Sequence, residues 1–306
     1  MNHAPPKKEK RYRTVTLLFF SYFYGTEPIK QIVMENGYAE GISRIEINSL
    51  WGRKHIVWNL RPDVNILSGV NGTGKSTILN KTVARLDFLA GESQEETPEV
   101  QIEYFPEGSS KIKYDVIRSI DRPLMHSNLL EKMSDKSVVS ELDWQLYKLQ
   151  RRYLDYQVNI GNRTIQLLTS GDPEKIREAQ EISAPKIKFM DYMDELFTDT
   201  GKKIIRSSNE ILFDQFGATL LPYNLSSGEK QLLVIMLTTL VQDQTPGVLL
   251  MDEPEISLHI EWQQQLIQRV RSLNPNVQII MTTHSPALIM DGWMDSVYDV
   301  EDITVK

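Results

Sequence analysis

Residues 69–77, Gly-Val-Asn-Gly-Thr-Gly-Lys-Ser-Thr, have the residue types and spacing of a phosphate-binding loop. In such a loop, successive backbone N–H groups and the N-terminus of the following helix converge on a phosphate group. Lys75 would neutralise the β/γ oxygens of a nucleoside triphosphate, Ser76 would ligate Mg²⁺, and Thr77 would donate near the α-phosphate. The predicted ATP-binding residues of the loop are Asn71, Gly72, Gly74, Lys75, Ser76 and Thr77.

A second candidate element is the apolar run 247–251, which is followed by the carboxylates Asp252 and Glu253. Such a run is typical of an interior strand of a parallel sheet that delivers acids to its carboxyl edge. Asp252 would hold Mg²⁺ through water or Ser76, and Glu253 would polarise the attacking water. Apolar runs that end in Asp-Glu are common, so this prediction depends on the phosphate-binding loop being present in the same chain.

His284 follows another apolar run, 277–281, within the segment Thr-Thr-His-Ser-Pro. A lone histidine at a strand end is more often structural than catalytic. In a doubly wound sheet, however, a position one strand after the carboxylate pair lies beside the γ-phosphate. We therefore predict that His284 and Glu253 are the catalytic residues.

A third glycine-containing segment, 225–231, precedes the apolar helix predicted for 232–241. Ser226, Ser227 and Gly228 would leave backbone donors free at a helix start, which predicts a second anion site. The alternative is an ordinary capping box between Ser226 and Glu229, three residues further on. From this segment alone, the capping box is the simpler interpretation.

These segments require a sheet to position them. We predict strands over 42–47, 55–60 and 63–67, a helix over 76–89, and a hairpin that joins 101–105 to 111–117 across 106–110. After residue 201 the sequence pattern again predicts strands, over 203–206 and 210–220, with a turn at Gly217.

Between residues 122 and 210 the pattern is helical. Apolar residues recur at steps of three and four, which predicts a helix of about 30 residues, and they are Val138, Leu142, Leu146, Leu149, Tyr153, Tyr156 and Ile160. Gly171-Asp172-Pro173 would end it, and a second helix is expected over 183–197, with Ser183 as its cap. The region is either an ordinary helical subdomain or an arm on which a partner docks.

The composition excludes several classes of protein. With 306 residues, 41% hydrophobic and 25% charged, the chain is that of a globular protein, and zero cysteines exclude disulfides and thiolate sites. A net charge of −7 argues against a whole-surface nucleic-acid binder. No apolar run reaches the length of a membrane span, and residues 15–24 are interpreted as a strand rather than a secretion signal, so we expect a cytoplasmic protein without membrane contact.

Taken together and in this order, residues 69–77, 225–231, 252–254 and His284 resemble the ABC-type ATPase superfamily, in its soluble branch of SMC-like, RecF-like and OLD-like proteins. Residues 253–263, Glu-Pro-Glu-Ile-Ser-Leu-His-Ile-Glu-Trp-Gln, resemble more narrowly the small prokaryotic AAA-domain ATPases, many of which occur in anti-phage operons. The resemblance covers residues 41 to about 290.

The resemblance implies an α/β P-loop NTPase fold with an ABC-type ATPase core, in which a central, mostly parallel sheet joins an antiparallel β-subdomain, and a helical insertion. It divides the chain into an N-terminal extension (1–40), a first ATPase lobe (41–121), the insertion (122–210) and a second lobe (211–306). It also implies the cofactors ATP and Mg²⁺ and a homodimer, or a higher even oligomer, closed head to tail. Ser226, Ser227 and Gly228 would then contact the partner copy's nucleotide, and residues 257–259 would cross the interface.

This sequence departs from the superfamily pattern at three places. Ser227 and Glu229 stand where transporter subunits usually carry glycine and glutamine. The glutamine expected after the strand near Ile117 is absent, and Asp121 is a candidate replacement. No adenine platform is assigned among Trp51, His55 and Trp58, and Arg53 is an additional candidate for reaching the nucleotide.

Three functions remain. The first is a regulatory ATPase that senses a signal, such as foreign nucleic acid or a phage protein, and controls a separately encoded nuclease or toxin. This is favoured because the chain extends only about 20 residues past His284, which we expect to leave no room for an effector domain. The alternative is a DNA-repair or SMC-like clamp, which would bind nucleic acid, and the third is a transporter nucleotide-binding subunit.

Overall fold

The computed structural model describes residues 37–118, 138–290 and 292–305. The strand predicted at 15–24 and the candidate Asp121 lie outside the described residues.

A five-stranded parallel sheet forms the centre of the described structure. Its strands, in spatial order, are β13 (Val297–Asp299), β4 (Val64–Ser68), β12 (Val277–Thr282), β11 (Gly247–Asp252) and β7 (Tyr114–Arg118). Every residue of β12 is buried, and so is every residue of β11 except Asp252 at its end. This is expected for strands covered on both faces. The apolar runs that predicted these two strands therefore identified them correctly.

A second, antiparallel sheet of four strands packs on one side of the central sheet. Its strands, in spatial order, are β14 (Thr304–Val305), β3 (Lys54–Asn59), β2 (Gly41–Leu50) and β5 (Val100–Phe105). A short parallel pair joins β1 (Tyr38–Ala39) to β6 (Lys111–Ile112). The predicted fold class, a mostly parallel sheet with an antiparallel β-subdomain, is confirmed.

The predicted hairpin between 101–105 and 111–117 is wrong. β5 pairs with β2, whereas β7 pairs with β11 in the central sheet. Alternating apolar residues identify half-buried strands but do not choose their partners, and here strands distant in sequence supply the pairing.

Helices cover both faces of the central sheet. α1 (Lys75–Ala90) lies between the two sheets and packs on Val248, Leu250 and Ile280 from one face. On the other face, Leu249, Met251 and neighbouring core residues pack against α5 (Ser227–Val241) and α6 (Ile260–Leu273). A short helix, α7 (Pro286–Ile289), follows β12.

The described residues 138–204, here termed the inserted segment, contain α2 (Glu141–Leu168), α3 (Pro173–Glu181), α4 (Ala184–Leu196) and β8 (Lys202–Ile204). All seven predicted seam residues of the first helix are buried. The predicted break at Gly171–Pro173 is confirmed, but α3 was not predicted; it begins at Pro173, with Asp172 as its cap. Ser183 precedes α4 without a side-chain capping bond.

β8 continues into a small antiparallel sheet with β9 (Phe213–Gln215) and β10 (Ala218–Leu220). The predicted strand 210–220 is thus two strands, separated by the predicted turn at Gly217, where φ is 85°. Within the part of the chain that the structure describes, no helix is long and apolar enough to cross a membrane.

Candidate active site

The phosphate-binding loop connects β4 to α1, as predicted. Gly69, Gly72 and Gly74 have φ values of 136°, 83° and 110°, which are accessible to glycine but rare for other residues. Gly74 is the N-cap of α1 and has no side chain with which to cap it, and the first turn contains no acidic residue. The N-terminus of α1 therefore keeps its backbone donors available for an anion.

Lys75 is buried, and its ammonium group already faces the loop. Its Nζ donates to the carbonyl oxygens of Gly69 at 2.8 Å and Val70 at 3.1 Å. Within the described residues, this cation is held by two carbonyl groups and by no carboxylate. Its charge therefore remains available to phosphate oxygens.

The aromatic candidates for contacting a base occupy different environments. Trp58 is fully buried, and His55 is paired with Glu46 at 2.8 Å. Trp51 is 52% exposed and lies over the phosphate loop, so close that a Cβ atom at Gly74 would stand 2.8 Å from its ring. Of the three, Trp51 alone combines an exposed ring with contact to the loop. Arg53 is exposed on the same turn.

The candidate carboxylates lie at the carboxyl end of β11. Asp252 is in register with Thr282 of β12, whose hydroxyl donates to Asp252 Oδ1 at 2.6 Å. Glu253 follows with φ 47°, an uncommon conformation for a residue with a side chain, and its N–H donates to the Thr282 carbonyl at 3.1 Å. β4, β12 and β11 are adjacent parallel strands, so their carboxyl ends meet at one edge of the sheet. These carboxylates and the phosphate loop therefore share that edge.

His284 lies between two carboxylates at that edge. Its Nδ1 is 3.4 Å from Glu253 Oε1 and 3.5 Å from Glu255 Oε1, and the side chain is half exposed. The structure thus brings His284 and Glu253 together, as the sequence predicted. With Nδ1 facing the carboxylates, Nε2 is the ring nitrogen left to face a substrate.

Glu255 was not predicted to have a role. Its side chain is only 4% exposed, and Oε1 accepts hydrogen bonds from the Thr283 hydroxyl at 2.6 Å and the His284 N–H at 3.0 Å. Among the described residues, Oε2 has no hydrogen-bond partner. A third acid two residues after the Asp-Glu pair was the sequence signal, and its burial beside His284 is what distinguishes it.

The loop after Glu255 joins the other candidate elements. Ser257 has φ 69°, and its carbonyl oxygen lies so close to Gly228 that a Cβ atom there would overlap it. Gln263 donates to the Leu258 carbonyl at 2.9 Å and accepts from the Ser285 hydroxyl at 2.6 Å. This loop therefore links the start of α5 to the residue that follows His284.

The second predicted anion site is the N-terminus of α5, and the capping-box alternative is confirmed there. Ser226 Oγ accepts from the Glu229 N–H at 3.4 Å, and Glu229 Oε2 accepts from the Ser226 N–H at 2.9 Å and from its hydroxyl at 2.8 Å. Ser226 and Ser227 are exposed, whereas Gly228 is buried against Ser257. The box does not consume the donors of Ser227 and Gly228.

Glu229 is also paired with Lys202 at 2.8 Å. Burial favours the neutral carboxyl group, but the hydrogen bonds from Lys202 and Ser226 outweigh it and hold the pKa of Glu229 below its ordinary value. A carboxylate is thus fixed at this helix start, in contrast to the phosphate loop.

The predicted magnesium ligands have suitable chemistry, since a hydroxyl group and a carboxylate are the oxygen donors that Mg²⁺ prefers. Ser76 lies in the first turn of α1, and Asp252 ends β11. No cluster of three or more His, Asp or Glu side chains able to hold a metal occurs in the described ranges. A magnesium ion here would need phosphate oxygens and water to complete its coordination.

Three large apolar side chains in segments that follow central strands are exposed. Val70 of the phosphate loop is 75% exposed, Ile260 at the start of α6 is 63% exposed, and Met290 after α7 is 73% exposed. All three follow the carboxyl ends of central strands, as the candidate catalytic residues do. Exposed apolar residues of this kind contribute to interaction surfaces where they form a patch.

Comparison with known proteins gives matches to a family model, to named relatives and to solved structures. A family model described as "AAA domain, putative AbiEii toxin, Type IV TA system" matches residues 84–291. The "Retron Vc95 probable ATPase" of Vibrio cholerae serotype O1 biovar El Tor is 27% identical over 178 residues, 52% of this chain and 32% of that protein. The "Septu protein PtuA" of Bacillus thuringiensis is 24% identical over 310 residues, 81% of this chain and 72% of that protein.

Solved structures match over most of the chain at low identity. An SMC head bound to the C-winged helix domain of ScpA has 16% identity and a TM-score of 0.47, covering 82% of this chain and 91% of that one. A nucleotide-free ATP-binding cassette from an ABC transporter has 13% identity and a TM-score of 0.42, covering 87% and 90%.

Proposed function

The chain belongs to the AAA-domain family whose model matches residues 84–291, and from that premise we propose that it is a regulatory ATPase of an anti-phage defence system. It binds and hydrolyses ATP between two copies arranged head to tail, and its nucleotide state controls a separately encoded effector. The observation that carries the proposal is the convergence of Asp252, Glu253 and His284 at the sheet edge that also carries the phosphate loop.

The first half of the composite site is the phosphate loop and its neighbours. The open N-terminus of α1 and the ammonium group of Lys75 bind the β- and γ-phosphates, and Trp51 supports the base. Ser76 and Asp252 would hold Mg²⁺, which would supply neutralisation of the phosphate oxygens when bound. Glu253 accepts a proton from the attacking water, and His284 donates to the γ-phosphate while Glu255 holds its backbone and ring in place.

The second half comes from the partner copy. Ser226 and the N–H groups of Ser227 and Gly228 face the γ-phosphate of the nucleotide bound by the other subunit. Two observations support this arrangement: the exposed apolar residues in the segments that follow central strands, and the contact of Gly228 with the loop at Ser257. Hydrolysis removes the group that both copies grip, so the closed dimer loses stability and opens.

The defence role is supported by the names of two relatives, and the regulatory role is part of the proposal. These two are named as a retron ATPase and a Septu protein, and the effector is proposed to be a nuclease or toxin. The DNA-clamp alternative is less well supported, because basic residues of the inserted segment are engaged within the protein. Arg152 pairs with Asp115 at 2.6 Å, and Lys186 donates to Gln157 at 2.7 Å.

The test is the association state of Glu253→Gln, which keeps the shape of the catalytic glutamate but removes its basicity. Sedimentation velocity should show a dimer with ATP and Mg²⁺ and a monomer with ADP or no nucleotide. The control is the same protein with Lys75→Ala added, which should stay monomeric. If the association state of both proteins were the same with and without nucleotide, the dimer part of the proposal would be wrong.

The effector part has its own test. Co-expression with the products of neighbouring genes, followed by affinity purification, should recover a nuclease or toxin whose binding differs between the ATP-bound Glu253→Gln dimer and the Lys75→Ala monomer. Binding of double-stranded DNA that weakens steeply with salt, with no protein partner, would favour the clamp instead.

A further inference from the structure

Two consecutive residues at the start of α5 are ion-paired with opposite ends of the inserted segment. Glu229 Oε1 is 2.8 Å from Lys202 Nζ in β8, and Lys230 Nζ is 2.8 Å from Asp143 Oδ1 in the first turn of α2. Both pairs are shielded, since the side chains are 4%, 11%, 13% and 1% exposed in that order. The first turn of α5 is therefore joined by two ion pairs to the two ends of the inserted segment.

Each pair is built into its own local structure. Asp143 Oδ2 accepts the N–H groups of Val139 and Ser140 at 3.1 and 3.0 Å, which forms the capping box of α2. Thr200, two residues before Lys202, donates its hydroxyl to the same Glu229 oxygen at 3.1 Å. A movement of α2 or of β8 would therefore change the contacts of the first turn of α5.

Glu229 connects these contacts to the exposed serine. One carboxylate oxygen holds Lys202 and Thr200, and the other holds the backbone and hydroxyl of Ser226. A carboxylate is rigid, so a displacement of Lys202 must either break a strong hydrogen bond or rotate the group that orients Ser226. The orientation of Ser226 is therefore linked to the inserted segment through a single carboxylate.

A buried ion pair adds little to the free energy of folding, because apolar residues of similar volume often stabilise a protein equally well. Such a pair does, however, fix the relative positions of the elements that it joins. We propose that Lys202 and Asp143 are positioning residues: through Glu229 and Lys230 they set the orientation of Ser226 and Gly228, and so make the trans half of the ATP site depend on the conformation of the inserted segment. This inference rests on the proposed function. It also assigns a role to α2–α4: whatever binds them changes how well two copies close on ATP.

The molecule offers matched controls. Arg163 of α2 pairs with Asp243 at 2.7 Å, beyond the other end of α5, so it joins the same two helices away from Ser226. Arg269 of α6 pairs with Glu195 of α4 at 2.8 Å; Arg269 is 9% exposed, like the test residues, whereas Glu195 is 64% exposed. Removing either arginine breaks an ion pair to the inserted segment without touching the first turn of α5.

The experiment uses the full chain with Glu253→Gln. Lys202→Met and Asp143→Asn are compared with Arg163→Met and Arg269→Met, first for ATP affinity at protein concentrations where the chain is monomeric, then for the ATP-dependent dimer dissociation constant. We expect ATP affinity within about twofold of the parent in all four, and dimerisation weakened at least about tenfold in the first two only. A general loss of packing would affect the controls as well.

Two milder variants keep the inference testable if Lys202→Met fails to fold. Thr200→Val removes one hydrogen bond to Glu229 and should weaken dimerisation in the same direction, and Lys202→Arg keeps the charge and should restore most of it. If all variants dimerise like the parent, or all four weaken equally, the inference is wrong although the proposed function stands. If the parent itself does not dimerise with ATP, the proposed function fails.

Discussion

The starts of α1 and α5 are two glycine-containing helix N-termini in one chain, and they are built in opposite ways. α1 begins after a glycine that cannot cap it and has no acid in its first turn, while Lys75 folds over the loop. α5 begins with a complete capping box, and its third residue, Glu229, is a buried carboxylate. The first is an anion site as it stands, whereas the second already has a negative group beside it.

This difference explains why one site would need two copies. The Glu229 carboxylate already interacts with the positive end of α5, so this helix alone is a poor phosphate binder. Its exposed serines and the N–H groups that follow can contribute a few hydrogen bonds to a phosphate that another group has already neutralised. In the proposed dimer, the α1 site would supply that neutralisation, and α5 would add selectivity for a γ-phosphate presented at the right place.

The largest expected effect comes from Glu253→Gln, which leaves both helix starts intact. Loss of a general base should lower kcat by about 10²–10⁴-fold while ATP affinity stays the same, and phosphate release measured beside nucleotide titration checks both. Glu253→Asp is the control, since it keeps the base but shifts it. Equal loss of affinity and rate would contradict the assignment of Glu253.

The next effect separates the two helix starts directly. Lys75→Ala should weaken ATP binding by roughly 10²–10³-fold, because it removes a charged donor from a shielded site. Ser226→Arg should leave ATP binding by the monomer unchanged but prevent ATP-dependent dimerisation. Ser226→Thr, which keeps the capping hydroxyl, should dimerise normally, and a reduced ATP affinity of the Ser226→Arg monomer would break the comparison.

A smaller effect concerns Trp51, which lies over Gly74. Stacking of a base on an aromatic side chain is worth about 1–3 kcal/mol, so Trp51→Ala should weaken ATP binding by roughly tenfold, and Trp51→Phe should recover much of it. Isothermal titration with ATP and with inorganic triphosphate distinguishes the roles: the triphosphate should not respond to the variant. Similar losses for both ligands would mean that Trp51 only shapes the loop.

The smallest effect is a pH dependence at α5. Because the folded state holds the pKa of Glu229 below its ordinary value, the pair with Lys202 stabilises the protein above that value and the gain is lost as the pH falls through the lowered pKa. Between about pH 5 and pH 3, urea unfolding should show wild type losing on the order of 1 kcal/mol more than Lys202→Met. Parallel losses would show that the carboxylate is not held by this lysine.

Local sequence patterns were enough to predict the elements that carry the cis half of the site. Glycine spacing identified the turn before α1, and the continuous apolar runs of β11 and β12 are typical of strands covered on both faces. The adjacency of His284 and Glu253 followed from the order of parallel strands.

What could not be predicted depends on contacts between distant parts of the chain. The pairing of β5 with β2, the burial of Glu255 under His284, and the ion pairs of Glu229 and Lys230 join residues separated by 27 to 87 positions. Local periodicity reports which face of an element is buried but not what lies against it. The capping box at Ser226 was visible in the sequence, yet its link to Lys202 was not.

The most direct test of the account mixes two variants that are inactive alone. In a dimer of Lys75→Ala with Ser226→Arg, one composite site carries both defects and the other carries neither. An equal mixture should therefore regain up to about half of the wild-type ATP hydrolysis rate, because neither variant pairs with itself and each mixed dimer carries one intact site out of two. No recovery at any mixing ratio, or a wild-type rate for Ser226→Arg alone, would show that each copy works on its own nucleotide.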